Sequence, residues 1–436
     1  MQYLPNIVFA IVLIVGIGFF VKNIKKLIRN IKLGKAVDRT DNPSLRWKNM
    51  IYIALGQSKM VQRPIAGFLH VIVYVGFIII NIEVLEIIID GLFGTHRILL
   101  SFLGASFYGF LIGSFEILAL LVFVSVVVFW IRRNVIKIKR FWNKEMKGWP
   151  KNDGNFILYF EMILMLLFLV MNATDSQLQE AGVGNTVSQF LSPLFADLNE
   201  GTIHFIERSA WWLHIVGILI FLNYLYYSKH LHILLAFPNT YYANLNPLGK
   251  FDNLESVTKE VKLMMDPTAD PFAAPAEDTS DAVPEKFGAE DATDLNWVQL
   301  LNAYTCTECG RCTSVCPANI TGKELSPRAI MMKTRDRVEE IGKNIDKNGK
   351  FVPDGKTLLD TISEEELWAC TSCNACVEEC PVNIDPLSII MDMRRFQVME
   401  KSAAPQELNM MMTNLENNGA PWQYNQLDRL NWKNEE

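Results

Sequence analysis

All eight cysteines of this chain occur in two copies of one spacing, C-x2-C-x2-C-x3-C-P. The copies are Cys306, Cys309, Cys312, Cys316 and Pro317, and Cys370, Cys373, Cys376, Cys380 and Pro381. This spacing is typical of proteins with two [4Fe–4S] clusters, in which the fourth cysteine of each run binds the other cluster. The predicted ligand sets are therefore crossed: Cys306, Cys309, Cys312 and Cys380 for one cluster, and Cys370, Cys373, Cys376 and Cys316 for the other.

Zinc is the alternative chemistry, because C-x2-C also suits a tetrahedral zinc site. A zinc site needs neither a third cysteine after two further residues nor a closing Cys-Pro, and both runs have these features. Iron–sulfur clusters are therefore favoured. No cysteine lies outside the two runs, which excludes a disulfide framework and indicates a reducing compartment.

The six histidines are further candidate ligands, since all lie in or beside apolar segments: His70, His96, His204, His214, His230 and His232. A haem b between helices needs two imidazoles from different helices at one depth. His70 follows Pro64 at the start of the second apolar segment, so a helix places it about 10 Å inside the membrane. We expect it to pair with His232, or less favourably His230, as an inner haem site.

His214 belongs near the outer end of the fifth segment. The 18 residues from His214 to His232 would span about 27 Å if they were helical, which is most of a bilayer. His214 would therefore serve a second, outer haem, for which His96 and His204 are the candidate partners. One haem is favoured over two, and no haem at all is the remaining alternative.

Buried carboxylates suggest a proton path or a quinone site, because ionisable groups inside a membrane are costly. The apolar segments contain Glu83, Glu86, Asp90, Glu116 and Glu161. The plainer interpretation is that Asp90 and Glu86 face the outer interface, while Glu116 and Glu161 pair with histidine or hydroxyl groups.

Five segments are long and apolar enough to cross a bilayer: residues 4–20, 65–89, 98–130, 156–171 and 211–227. Lys and Arg are abundant in the first and third connections, whereas the second offers only Arg97 and residues 172–203 contain none. The positive-inside rule then places the N-terminus outside and everything after Tyr227 in the cytoplasm. Because no basic residue precedes the first apolar run, we interpret it as an uncleaved anchor in the inner membrane.

The predicted fold is all-α, a five-helix transmembrane bundle followed by an α-helical ferredoxin domain. The expected units are a cytochrome b-like domain (1–250), an acidic Pro/Ala linker (251–295), the cluster domain (296–400) and a polar tail (401–436). Helices are predicted over residues 326–341 and 363–369. Ser363 with Glu366 forms a possible capping box at the start of the second helix.

The membrane half resembles the cytochrome b subunit of respiratory nitrate reductases and the membrane subunits of heterodisulfide reductase and of the sulfite-reduction-associated complex. The residues concerned are 211–214, 228–232 and 238–239. Residues 306–312, with Ser326, Pro327 and Arg328, are similar to the ferredoxin-like subunit of heterodisulfide reductase. The nitrate reductase pattern has two histidines ten residues apart in the second segment, whereas this chain has Met60 and Ile80 at the neighbouring positions.

The resemblance implies an electron-transfer subunit that connects a quinone pool, haem b and two [4Fe–4S] clusters with a cytoplasmic redox partner. In such families the substrate site is built from Cys-Cys-Gly motifs, which this chain lacks, so the partner would carry them. No G-x-G-x-x-G follows a strand, and a dinucleotide site is not indicated. The alternative function is a membrane-anchored iron–sulfur sensor or scaffold without haem.

Overall fold

The computed structural model describes residues 3–268 and 286–434. It is 70% helical, and its described residues contain no β-strand, so the predicted all-α fold class is confirmed. The five helices long and apolar enough to cross a membrane are α1 (Leu4–Ile31), α3 (Pro64–Phe93), α5 (Ala105–Asn134), α6 (Trp149–Thr174) and α8 (Glu200–Tyr224). Shorter helices join them: α2 (Pro43–Met50), α4 (Ile98–Leu103), α7 (Ser176–Ala181), α9 (His232–Tyr241) and α10 (Glu255–Met265).

The long helices form a bundle in which α6 packs between α5 and α8, α3 packs on α5, and α1 packs on α3 and α8. Its interior contains fully buried residues such as Tyr108, Phe115 and Phe168. The opposite faces are apolar and exposed, and Ile14 of α1 has 70% of its surface accessible. Such faces suit hydrocarbon rather than water, because a bilayer solvates apolar side chains.

One predicted segment is interrupted. The segment predicted over residues 98–130 is two helices, because Gly104 has a φ of +74° that an α-helix does not allow. The fifth segment ends at Tyr227 as predicted: α8 ends at Tyr224, a 3₁₀ turn continues to Tyr227, and the chain breaks at Ser228. His232 therefore begins the separate helix α9, and the 27 Å distance calculated for a single helix from His214 to His232 does not apply.

The C-terminal domain is a compact set of helices around the cysteines: α11 (Trp297–Thr305), α12 (Arg311–Val315), α13 (Pro317–Ile320), α14 (Pro327–Asn348), α15 (Glu364–Trp368), α16 (Ala375–Glu379) and α17 (Pro386–Met399). Both predicted helices are confirmed. The hydroxyl of Ser326 caps α14, and Ser363 and Glu366 form the expected capping box on α15. The tail contains α18 (Gln406–Asn418), which has no buried residue. Residues 269–285 of the predicted linker lie outside the described residues.

The cysteine domain docks on one end of the bundle. Asp346 of α14 accepts hydrogen bonds from Lys26 and Arg29 at the end of α1. At the start of α3, Arg63 donates to Glu379 at 2.7 Å. The connection between α5 and α6 contributes Glu145, which accepts from the fully buried Arg328 at 2.6 Å. The two basic connections and the cysteine domain therefore lie at the same end of the molecule.

Candidate functional site

The two cysteine runs have the same backbone conformation. The second residue after the first cysteine, Glu308 or Ser372, has a φ of +55° in both runs. Left-handed residues also follow the second cysteine, namely Gly310 at +70° and Asn374 at +59°. Each run then forms a five-residue helix that contains the third cysteine and ends before the fourth. Within the first run, burial raises the pKa of the Cys312 thiol, and the nearby Cys309 and Cys306 raise it further. Three thiols close together are what one face of a cubane cluster needs.

The fourth cysteine of each run lies near the opposite run. Burial raises the pKa of the Cys380 thiol to about 11, and Cys309 is the first charged group that raises it further. Burial is also the main cause of the raised pKa of Cys376, to which Cys370 and Cys316 contribute. Helices α12 and α16 are in contact, which holds the two runs together. This geometry suits the crossed ligand sets predicted from the spacing.

The imidazoles of His70 and His232 are neighbours, with ring centroids 6.4 Å apart and an interplanar angle of 43°. An imidazole nitrogen lies about 2 Å from a bound metal, with the ring centroid roughly 1 Å farther, so two imidazoles on opposite sides of one metal have centroids about 6 Å apart. The observed separation therefore suits a haem iron between the two rings.

Hydrogen bonding around the two rings also suits metal binding. Nδ1 of His232 lies 3.2 Å from the carbonyl oxygen of Lys229. Since a carbonyl oxygen only accepts, Nδ1 carries the proton and Nε2 keeps its lone pair for a metal. Burial lowers the pKa of His232, which favours the neutral ring that a ligand requires. Nδ1 of His70 is buried without a hydrogen-bond partner among the described residues.

A cationic cavity of about 210 Å³ adjoins His230 and His232. Its polar lining consists of Arg132, Arg133, Arg140, Lys229, His230, His232 and Thr307. Nε of Arg133 and Nε of Arg140 are buried without a partner within the described residues. Unpartnered guanidinium nitrogens attract carboxylates, and a haem carries two propionates. The residues present therefore fit a haem: His70 and His232 would hold it, and Arg133 and Arg140 would bind its propionates.

The first cysteine run borders the same cavity. Thr307, which lies between Cys306 and Cys309, contributes to its wall. A Cβ added to Gly310 would lie 3.3 Å from Cβ of Arg140, so the turn packs directly on the arginine side of the cavity. Cys373 of the second run is exposed instead. The first run is therefore the one that faces the histidines.

The other candidate histidines lie elsewhere or have other partners. His230 is 5.3 Å from His232 between ring centroids and 3.6 Å from a carboxylate oxygen of Glu161. His214 is buried on α8, where Nδ1 lies 3.0 Å from the carbonyl oxygen of Leu164. His204 is 76% exposed. The structure thus gathers His70, His230 and His232 and leaves His214 apart from them.

Most buried carboxylates have defined structural partners at the end of the bundle opposite the cysteine domain. Glu116 accepts from the backbone nitrogens of Val187 and Ser188 at 2.7 and 3.0 Å. Glu83 accepts from Arg97 at 2.8 Å. Glu86 accepts from the backbone of Leu99 and from the hydroxyl of Tyr108. Asp90 accepts from Thr95 and from the backbone nitrogens of Arg97 and Ile98. Each of these groups thus stabilises the connections at that end.

A second cavity of about 370 Å³ opens at this end, and His96 and Glu207 line it. Ligand atoms of His96, Asp175 and Glu207 lie within 4.8 Å of one another. Arg97 donates to Asp175 at 3.2 Å and Arg208 donates to Glu207, so two guanidinium groups already compensate the carboxylates. A divalent cation would have to compete with both arginines. This cavity is far from the histidine pair, because Glu86 in its wall is 16 residues along α3 from His70, or about 24 Å.

Lys229, Glu308, Arg133 and Arg140 are site residues that the sequence reasoning missed. Arg133 and Arg140 enter the sequence prediction only as basic residues of a connection, Lys229 only as part of the segment 228–232, and Glu308 only as part of the cysteine motif. A short-range signal exists for Lys229 alone, because it directly precedes His230. The contact between Lys229 and Glu308 joins residues 79 positions apart, which no local pattern indicates.

Comparison with known proteins supports the iron–sulfur assignment. Residues 305–384 match the 4Fe-4S dicluster domain family. The chain is 27% identical over 98% of its length to the probable iron-sulfur-binding oxidoreductase FadF of Bacillus subtilis, of which it covers 61%. It is 23% identical over 98% of its length to the EtfAB:quinone oxidoreductase of Syntrophomonas wolfei, of which it covers 59%. The chain therefore spans about three fifths of the length of these two relatives.

Shorter matches agree with this assignment. A probable membrane-anchored ferredoxin of Chromohalobacter salexigens is 34% identical over 34% of the chain, which covers 24% of that protein. Heterodisulfide reductase subunits C and D are also similar to parts of the chain, which confirms the resemblance noted from the sequence. No solved structure matches the chain. The relatives and the five apolar helices together indicate a membrane-anchored iron–sulfur electron-transfer protein.

Proposed function

We propose that this chain transfers electrons between a membrane quinone and a cytoplasmic redox partner, with haem b at His70 and His232 and two [4Fe–4S] clusters on the crossed cysteine sets. The observation that carries the proposal is the 6.4 Å separation of the two imidazoles beside a cationic cavity that ends at Thr307. When bound, the haem and the clusters supply one-electron carriers.

The chain's own residues prepare the site in three ways. His70 and His232 present neutral nitrogens to one metal position. Arg133 and Arg140 offer guanidinium nitrogens to the propionates at the end that faces the first cysteine run. The surrounding apolar side chains exclude water, which protects reduced carriers and influences their potentials.

The proposed orientation places the N-terminus outside and the cysteine domain in the cytoplasm. The positive-inside rule supports this orientation, and so does the docking of the cysteine domain on the same end as both basic connections. The exposed Cys373 makes the second run the side that a redox partner would approach. We propose that this partner bears Cys-Cys-Gly motifs, and that the quinone is the exchangeable substrate.

Haem content tests the proposal. We expect one haem b per purified chain by the pyridine haemochrome assay. His70→Leu and His232→Leu should lose this haem while keeping about eight irons per chain, since a [4Fe–4S] cluster has four irons. His214→Leu, which removes a buried imidazole from outside the pair, is the matched control and should retain the haem.

Absence of haem from the wild-type chain would overturn the haem assignment and favour a membrane-anchored iron–sulfur sensor. Two haems would mean that His214 has a partner that the described structure does not show. Haem retained after both His70→Leu and His232→Leu would also contradict the assignment. Reduction of the clusters by quinol in membranes that contain the partner then tests the complete function.

A further inference from the structure

Lys229 contacts both parts of the candidate site. Its backbone carbonyl accepts from Nδ1 of His232, as described above, and its backbone nitrogen donates to Asp153 at 3.1 Å. Its ammonium group forms a salt bridge with Glu308 in the first cysteine turn. The side chains of Lys229 and Glu308 are only 9% and 3% exposed. One residue thus connects the histidine turn of the membrane domain with the cysteine turn of the other domain.

The repeated turn shows that its backbone does not require a glutamate. Glu308 and Ser372 occupy equivalent positions with the same φ of +55°. Only the turn that faces the histidine cavity carries a carboxylate at this position. Glu308 is held there by Lys229 on one oxygen and by Arg335 on the other, the latter at 2.9 Å. The turn conformation therefore does not need a carboxylate at this position, and the carboxylate of Glu308 is specific to the turn that faces the histidine cavity.

Fixed charges beside a cluster change its reduction potential, because reduction adds one negative charge to it. A nearby cation stabilises the reduced cluster, and a nearby anion destabilises it. Both groups are buried, so water and salt screen their charges poorly. Lys229 and Glu308 therefore act in opposite directions on a cluster in the first cysteine turn.

We propose that Lys229 and Glu308 are positioning residues: their buried salt bridge fixes the first cysteine turn against the histidine turn, and their opposite charges balance each other at the cluster held there, so that loss of either charge shifts its reduction potential. The proposal deepens the proposed function and rests on its cluster assignment, but it does not depend on the haem. It concerns residues that do not bind the cluster themselves.

The test is an EPR-monitored redox titration of the full-length chain in detergent, with iron content measured in parallel. We expect Glu308→Gln to raise the midpoint potential of one cluster and Lys229→Gln to lower it. The double variant should return close to the wild-type value, because both fixed charges are removed. The second cluster should shift much less in all three proteins.

Lys26→Gln is the matched control, because Lys26 also pairs across the two domains with Asp346 but lies 34% exposed, away from the cysteine turn. It should leave both potentials unchanged. Shifts of the same sign in Lys229→Gln and Glu308→Gln, or unchanged potentials with full iron content, would overturn the proposal.

If a single variant loses iron, Lys229→Arg and Glu308→Asp provide the second measurement. Restored iron with a wild-type potential supports the charge role. Restored iron with a shifted potential contradicts it. A chain that binds clusters but no haem would contradict only the haem assignment.

Discussion

Arg97 is the central cation of the half of the bundle that lies away from the cysteine domain. It is 8% exposed and donates to Glu83, Asp175 and Asn172. Although burial raises the pKa of Asp175, hydrogen bonding to His96 and the charge of Arg97 hold that pKa well below its usual value. The arginine thus keeps the buried carboxylate of Asp175 ionised.

Replacing Arg97 with methionine should strongly destabilise the protein. The substitution leaves buried carboxylates without their cation, which typically costs about 3–5 kcal/mol. Thermal unfolding in detergent would measure the loss. Arg208→Met is the control, because Arg208 is 39% exposed and should matter much less. The double variant Arg97→Met with Glu83→Gln should lose less than Arg97→Met alone. Equal melting of Arg97→Met and the wild type would show that the network is not needed for stability.

Residue identity and spacing indicate candidate metal ligands, but they do not indicate the charges around them. The cysteine runs repeat a rigid local geometry, so their spacing alone indicates a cluster. His70 and His232 could be paired from helix depth, although their role as haem ligands stays a prediction. Arg133, Arg140 and Glu308 are different, because their role depends on how two domains meet. Such long-range contacts leave no periodic signal in a single sequence.

At the scale of elements, helix contacts depend on small residues. Gly91 of α3 lies against Phe9 of α1, and a Cβ added there would be 2.6 Å from the phenyl ring. We expect Gly91→Ala to destabilise the bundle by about 1–3 kcal/mol, since overpacking forces the helices apart. Gly18→Ala is the matched control, because a Cβ at Gly18 of α1 meets nothing within 4 Å. Thermal unfolding of both variants in the same detergent would compare them, and equal stability would refute close packing of α1 on α3.

The presence of the long helices could be predicted from the sequence, but most of the residues at which they end could not. Apolar length predicted five spanning helices, and all five are present. The turn at Ser228 directly follows the predicted end of the fifth segment at Tyr227, but residues 225–232 contain neither the glycine nor the proline that would predict a turn. Its cause is tertiary: Asp153 of α6 accepts from the hydroxyl of Tyr224 and from the backbone of Lys229. These bonds hold the chain in a turn that brings His230 and His232 back toward the bundle.

At the scale of the whole molecule, the orientation in the membrane is the property that connects the site to its proposed partner. The cysteine domain and both basic connections occupy one end, and the connection between α6 and α8, which lacks Lys and Arg, occupies the other. An orientation with the basic end outside would expose the clusters to an oxidising environment and would oppose the positive-inside rule.

Labelling of single added cysteines would determine this orientation. Asp197→Cys lies in the exposed connection between α6 and α8, and Lys347→Cys lies at the exposed end of α14. We expect a membrane-impermeant maleimide to label Asp197→Cys in right-side-out vesicles and Lys347→Cys only in inverted vesicles. The unsubstituted chain corrects for labelling of the native cysteines, of which Cys373 is exposed. The reverse pattern would place the cluster domain outside and would exclude a cytoplasmic partner. In the N-terminus-out topology, an odd number of spans separates the two labelled positions. Labelling of both variants from one side would therefore contradict that topology.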